Sequence, residues 1–409
     1  MTTSGWGPSD GAAAGGSPRP TVDDRWIAIM PGDPRPWLLA SNEPAARWIA
    51  LVAILGRPAD DPDARGAHAA VLADPGTRAL IDRIPAWGEP LVLSGHASAQ
   101  FAPNLLGLLA DMGVRAGDDP RVDATLDAML DGRTAEGRFA TFATSRVTPD
   151  GAWSALLCDT HAIAGTLVRY GLADDPRVLA ELERMADGVA DTSSGRAWPC
   201  VPWSGFRGPG RKGERCPQVT LEALDAFARL PSSRRPAGLD AVARDALRPW
   251  RERGAAQPYM FGHGYRFKTV KWPGFWYDVL RTVETLGAYP AAWSGPHASE
   301  EDRRTFTEMA ACLVTYNVDP DATVTPRSCM RGFESFSFGQ KKRPSAFATA
   351  RVAAALRPLG DLADEIRGVD VRTLASSKGG SGTPRPPAAL RTDASRAPSA
   401  VRGQVDPRR

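Results

Sequence analysis

The sequence predicts an all-α protein, a single α/α toroid of about six inner and five to six outer helices. Three observations carry that expectation. Apolar helical runs stop at Leu55-Gly56, Met112-Gly113, Tyr170-Gly171, Leu230-Pro231, Tyr289-Pro290 and Leu359-Gly360, at intervals of 57, 58, 60, 59 and 70 residues. A fixed period of this size marks stacked supersecondary units. The first three stops are each followed by the same Asp-Asp-Pro run, and loops with Gly, Arg and an aromatic recur 58 residues apart at Gly137-Arg138-Phe139 and Gly195-Arg196-Ala197-Trp198.

Each inner helix closes on Gly or Pro, because glycine accepts the left-handed C-cap and proline cannot continue the ladder. Four residues before the stops sit Val52, Leu109, Leu167, Phe227, Leu286 and Leu356, all apolar. Outer helices start at Asp60-Asp61-Pro62, Asp118-Asp119-Pro120 and Asp174-Asp175-Pro176. There the Asp side chain accepts orphan N–H groups and Pro, which lacks one, occupies the first helical position. The spans 122–130 and 178–190 carry more charge, as an outer layer should. Six pairs are enough to bring the ends together, with parallel inner helices around a central cavity; an open superhelix is the competing arrangement. The last repeat is longer, with an insertion around 317–325. The toroid domain is expected at 21–367, between a disordered leader at 1–20 and a disordered basic tail at 368–409 rich in Ser, Gly, Pro and Arg.

A hydrophobic fraction of 43% supplies a core, and five net positive charges fall after Ser376 in a chain whose total is +3. The body is therefore close to neutral, which argues against a nucleic-acid partner, since phosphate neutralisation needs a concentrated basic face. Five irregularly spaced cysteines are too few for a disulfide framework and read as reduced thiols. No stretch approaches 18 uninterrupted apolar residues, which excludes a spanning helix. The start of the chain lacks a basic segment followed by an apolar run, so the expected location is the cytoplasm.

The helix-pair period, the glycine-aromatic loops (Asp150-Gly151-Ala152-Trp153 among them) and the helix starts Thr160 and Thr220 resemble the terpenoid cyclase and protein prenyltransferase superfamily of α/α toroids. The Gly-x-Trp element is similar to the end of that superfamily's QW repeat. Phe338-Gly339-Gln340-Lys341-Lys342, followed by Pro344-Ser345, looks like the last toroid repeat of uncharacterised bacterial relatives. The resemblance covers 47–367 and implies a soluble protein acting on a lipophilic, isoprenoid or polycyclic substrate in a central cavity.

In such a toroid the N-terminal ends of the inner helices line one mouth of the cavity, where free N–H groups and the macrodipole favour anions. Asp159 and Asp278 lie twelve residues before Gly171 and Pro290, at one repeat position two units apart. Carboxylates there could protonate an olefin, stabilise a carbocation or bind metal, with His161 beside them. Asp is also favoured in any first helical turn, whatever its function. Cys158, Asp159, His161 and Cys216 raise zinc as a cofactor, since thiolate, carboxylate and imidazole are all zinc ligands. Protein prenyltransferases place Asp and Cys at one inner-helix start and His one repeat later; here Cys158 and Asp159 are adjacent, His161 shares their helix, and the next repeat supplies Cys216. A buried structural thiol and a core histidine are the plain alternative.

The segment 259–277 holds eight aromatics, interleaved with His263, Arg266, Lys268 and Lys271. Trp272, Trp276 and Tyr277, with His263 and Lys271, are candidate substrate-binding residues, because aromatic faces stabilise cations and the basic groups suit an anionic head group. The same rings could plug a helix interface. Lys341 and Arg343 are candidates at the start of the last inner helix. No Asp-x-Asp-Asp run stands at an inner-helix start, and no phosphate-binding loop, dinucleotide fingerprint or Gly-x-Ser-x-Gly element occurs. Two functions remain: an enzyme of the cyclase or transferase kind, and a non-catalytic toroid scaffold that binds a lipid or a protein. Asp159, His161, Cys216, Lys271, Trp276 and Asp278 are expected to face one cavity.

Overall fold

The computed structural model describes residues 23–88, 98–143, 149–201, 213–255 and 262–375. The expectations for 1–20 and for the chain after 375 lie outside the described residues, as do Tyr259 and Phe261 of the aromatic segment. The described chain is mostly helical, and its sheets are three two-stranded pairs.

Inner and outer helices alternate along the chain. In order they are α1 (Pro44–Ile49, continued by a π turn at Ala50–Ile54), α2 (Pro62–Ala73), α3 (Ala102–Met112), α4 (Pro120–Asp131), α5 (Leu157–Arg169), α6 (Pro176–Asp187), α7 (Pro217–Ala228), α8 (Leu239–Asp245), α9 (Val279–Gly287), α10 (Glu300–Asn317) and α11 (Ala346–Leu356). The odd-numbered helices end within a few residues of the six expected stops. Gly113 shows why a glycine stands there: its φ is 111°, and a Cβ on it would lie 2.7 Å from the Trp48 ring. Asp61, Asp119 and Asp175 cap α2, α4 and α6 by accepting from the backbone N–H of Asp63, Arg121 and Arg177. Helix α6 stops short of the expected 190, because Gly188 forms its C-cap and Ala190 pairs with Ala197 instead.

The Gly-Arg-aromatic loops are small antiparallel ribbons. β1 (Thr141–Ala143) pairs with β2 (Ala152–Ser154), β3 (Ala190–Thr192) pairs with β4 (Gly195–Ala197), and Arg133 bridges Phe139. Each ribbon lies between an outer helix and the next inner one. A third, parallel pair joins β5 (Lys271–Trp272) to β6 (Ser328–Cys329).

The inner helices touch in a cycle. α1 packs on α3, α3 on α5, α5 on α7, α7 on α9, α9 on α11, and α11 returns to α1. Tyrosines just before two of the stops repeat one joint: the Tyr170 hydroxyl donates to the Leu106 carbonyl at 2.9 Å, and Tyr289 donates to Leu224 at 2.6 Å. Both reach the preceding inner helix. Where the last repeat meets the first, the Glu43 carboxylate accepts from the Ser337 hydroxyl at 2.9 Å and the Phe347 N–H at 3.1 Å. Nearby, Arg25 pairs with Asp361. The folded body runs past the expected boundary at 367, since Arg253 Nε donates to the Ala375 carbonyl at 3.0 Å. Among the described residues no helix is long and apolar enough to cross a membrane.

The tyrosine joints are separately testable. Tyr170→Phe and Tyr289→Phe each delete one hydroxyl whose acceptor is a helix carbonyl, so each should lower the unfolding free energy by about 1 kcal/mol at unchanged denaturant slope. Denaturation curves superposing on the parent's for both variants would show that these bonds do not hold neighbouring repeats together.

Candidate functional site

The structure places an open cavity against the flanks of the inner helices α3, α5, α7, α9 and α11. Its wall includes Asn104, Gly107, Leu108 and Asp111 from α3, Gly165, Thr166 and Arg169 from α5, Glu222 and Asp225 from α7 with Arg229 just past it, Arg281 and Glu284 from α9, and Arg351 from α11. Pro273, Gly274 and Phe275, in the turn after β5, complete it. The cavity offers about 50 Å³ of room to the centres of water molecules. One water needs ~10–15 Å³ on that measure, so a few waters fit, or a solute of similar bulk.

Eight of the described lining residues are charged, four acidic and four basic, and they pair with one another. Arg169 meets Asp111 at 2.8 Å and also donates to the Gly107 carbonyl at 2.7 Å. Arg351, itself buried, bridges Asp111 and Glu284, the latter at 2.9 Å. Arg229 grips Asp225 through two nitrogens, at 3.0 and 3.2 Å. Arg281 approaches Glu222 at 3.5 Å, and Gln218 Nε2 donates to that same Glu222. Burial alone would raise the Asp225 carboxyl, but the guanidiniums of Arg229, Arg169 and Arg281 outweigh it and hold the group at about 2. Asp111 likewise ends below its ordinary value, burial being overcome by Arg169, Arg351, Arg229 and Arg281. Both are charged at neutral pH.

None of the candidates named from the sequence lines this cavity. Asp159 is buried at the start of α5, where its Oδ2 accepts from the Thr141 hydroxyl at 3.0 Å. It thereby ties the helix to β1. His161 Nδ1 donates to the Val219 carbonyl at 3.3 Å, and its ring stands edge-on to Trp198 with centroids 6.1 Å apart. Burial lowers its pKa to about 4, so it is neutral at pH 7 and serves the α5–α7 joint. Burial pushes the Cys158 thiol well above its ordinary value and Cys216 up to about 12, which keeps both protonated at neutral pH. Among the described residues no three His, Cys, Asp or Glu side chains converge as metal ligands, so the proposed zinc set of Cys158, Asp159, His161 and Cys216 is not assembled.

The aromatic segment is chiefly packing. His263 Nε2 and the Tyr277 hydroxyl share a hydrogen bond of 2.9 Å, and Trp250 and Phe267 lie edge-on and tilted around them. Burial, with Arg253 and Lys268 nearby, lowers His263 to about 3. Trp272 is buried, Trp276 is partly buried against the core, and Lys271 is exposed. Lys341 and Arg343 are also exposed, in a loop that Gln340 organises by accepting from the Lys342 and Arg343 N–H groups at 2.7 and 3.0 Å.

Asp278 lies three residues after Phe275 of the cavity wall. It is the N-cap of α9, its Oδ1 accepting from the Arg281 N–H at 3.0 Å, one turn before Arg281 and about two turns before Glu284. Its Oδ2 is buried with no hydrogen-bond partner among the described residues. Burial lifts the carboxyl to about 7, against the opposing pull of Arg281.

The charged wall was missed although the period reveals it. Counted back from each stop, Asp111, Arg169 and Arg229 stand two residues before, Asp225 and Glu284 six before, and Glu222, Arg281 and Arg351 nine before. At 100° per residue these positions share one face, opposite the apolar residue four before the stop.

The pH dependence of stability follows from Asp278. Its carboxyl titrates near 3.8 in the unfolded chain and near 7 in the fold, so the native state holds a proton that the unfolded state releases. Stability therefore falls as pH rises from about 4 to about 7 and is level above. His161 and His263, neutral when folded, act with the opposite sign in acid, so the effect is read as a difference. Asp278→Asn keeps a capping oxygen. Its unfolding free energy relative to the parent should climb across that window, and parallel curves for the two proteins would sink the assignment.

No protein-family model matches this chain, and no curated protein or solved structure compared with it matches either.

Proposed function

We propose that the chain is an α/α toroid, of the general kind its resemblance implies, whose central cavity holds a small hydrophilic molecule without transforming it. The observation that carries this reading is the wall of four carboxylates and four guanidiniums, paired with one another. A hydrocarbon is driven to an apolar surface. Here it would have to strip water from charges and offer nothing in return. A hydroxyl, amide or charged solute exchanges those hydrogen bonds for its own. Asp111 and Asp225, held as carboxylates of depressed pKa, are poor proton acceptors at neutral pH. Among the described residues the wall includes neither histidine nor cysteine.

A second reading, the cyclase or transferase chemistry on an isoprenoid that the resemblance implies, is favoured by one observation. Asp278, lifted to about 7, lies in the range where a general acid works, and it follows the cavity turn Pro273–Phe275 by three residues.

Thermal unfolding separates the two. Farnesol and geranylgeraniol serve as hydrocarbon probes, and amino acids, polyols and nucleosides as hydrophilic ones. A ligand at 100 times its Kd stabilises by about 2.7 kcal/mol. The first reading expects a rise in melting temperature with a hydrophilic probe, reduced in Asp225→Asn, and none with the prenols. A rise with the prenols alone, lost in Asp278→Asn, overturns it in favour of the second.

A further inference from the structure

The ion pairs of the cavity are not equally closed. Arg169, Arg229 and Arg351 each reach a carboxylate at 3.0 Å or less. Arg281 meets its nearest acid, Glu222, at 3.5 Å, beyond the 2.7–3.2 Å of a hydrogen bond. Its planar fork therefore retains capacity for a carboxylate, the partner that a guanidinium binds bidentately. One turn further along the same face of α9, Glu284 is the most open of the four cavity acids, its side chain 30% exposed against 13–19% for Glu222, Asp111 and Asp225. It receives Arg351, but a carboxylate has about four acceptor sites and can take a second cation. Residues three apart on a helix stand about 5–6 Å apart at Cβ, so an open cation and an open anion lie side by side.

Among the described residues the wall carries no net charge, since its four acids match its four arginines. A simple anion or cation entering it would leave one resident charge without compensation. A molecule with both charges, neutral overall, adds a pair to a lattice of pairs.

Resting on the hydrophilic-cavity reading, we propose that the ligand is a small zwitterion of the amino-acid type, its carboxylate on Arg281 and its ammonium on Glu284, with the remainder against Phe275 and Leu108. Polyols are the less suitable class, because four guanidiniums are excess cation for hydroxyl groups.

Isothermal titration of the full chain tests this with glycine, L-alanine and L-glutamine as zwitterions, acetate and methylammonium as single ions, and glycerol and glucose as polyols. The expected result is heat with at least one zwitterion and none with the other classes, with binding at least about tenfold weaker in Arg281→Gln and in Glu284→Gln and partly kept in Arg281→Lys. Far-UV circular dichroism reports the folding of each variant, and if Arg281→Gln does not fold, Arg281→Lys and Glu284→Gln carry the comparison. Binding of glycerol, glucose or acetate with silent amino acids overturns the zwitterion and leaves the hydrophilic cavity standing. Silence from every probe, or zwitterion binding undiminished in the folded variants, overturns the proposal, and prenol stabilisation in the thermal assay overturns the cavity reading beneath it.

Discussion

The bridge that Arg351 makes between Asp111 and Glu284 joins three inner helices, α3, α9 and α11, and much of the interior depends on it. Burying ions is costly, and a buried pair roughly breaks even against apolar side chains of the same volume. Removing one partner is what costs heavily. Arg351 compensates two carboxylates from distant parts of the chain, and one of these, Asp111, is shared with Arg169. The cavity charges are thus held by mutual dependence more than by any single contact. Such a lattice fixes which helices face one another across the centre, a directional constraint that the alanine and leucine packing of the core does not impose.

The architecture was legible because its punctuation is local. A C-cap glycine such as Gly113 and an N-cap aspartate such as Asp119 act within one turn, so their meaning survives without knowledge of the fold. The ribbons were less legible. Asp191 pairs with Arg196 across a tight turn, but strands of three residues carry too little alternation to be told from loops.

The site was the least legible part, for a physical reason. Attention to helix N-termini follows the macrodipole, which favours isolated charges at helix ends. Charges in mid-helix depend in large part on partners from other helices, as Asp225 does on Arg169 from α5, and those partners are known only once the helices are set side by side. Polar residues that did sit at helix starts were taken up by the joints between repeats. Asp159 holds Thr141, Thr160 holds the Phe139 carbonyl, and His161 holds Val219. A polar side chain in such a position satisfies a neighbouring element before it can serve a ligand.

The contact of α11 with α1, sealed by Glu43 on Phe347, bears on how the protein comes into being. A chain emerging from the ribosome makes α3 and α9 before Arg351, the residue that bridges Asp111 to Glu284, has been synthesised. Until then the centre carries an excess of negative charge, and the two ends of the cycle, some 300 positions apart, have not met. Closure of so long a segment is opposed by chain entropy and is rewarded only when the last helix docks. Completion of the charge lattice and closure of the cycle of helix contacts therefore both await α11, and a nascent or truncated chain lacking it leaves α1 and α9 without their shared neighbour and Glu284 without Arg351.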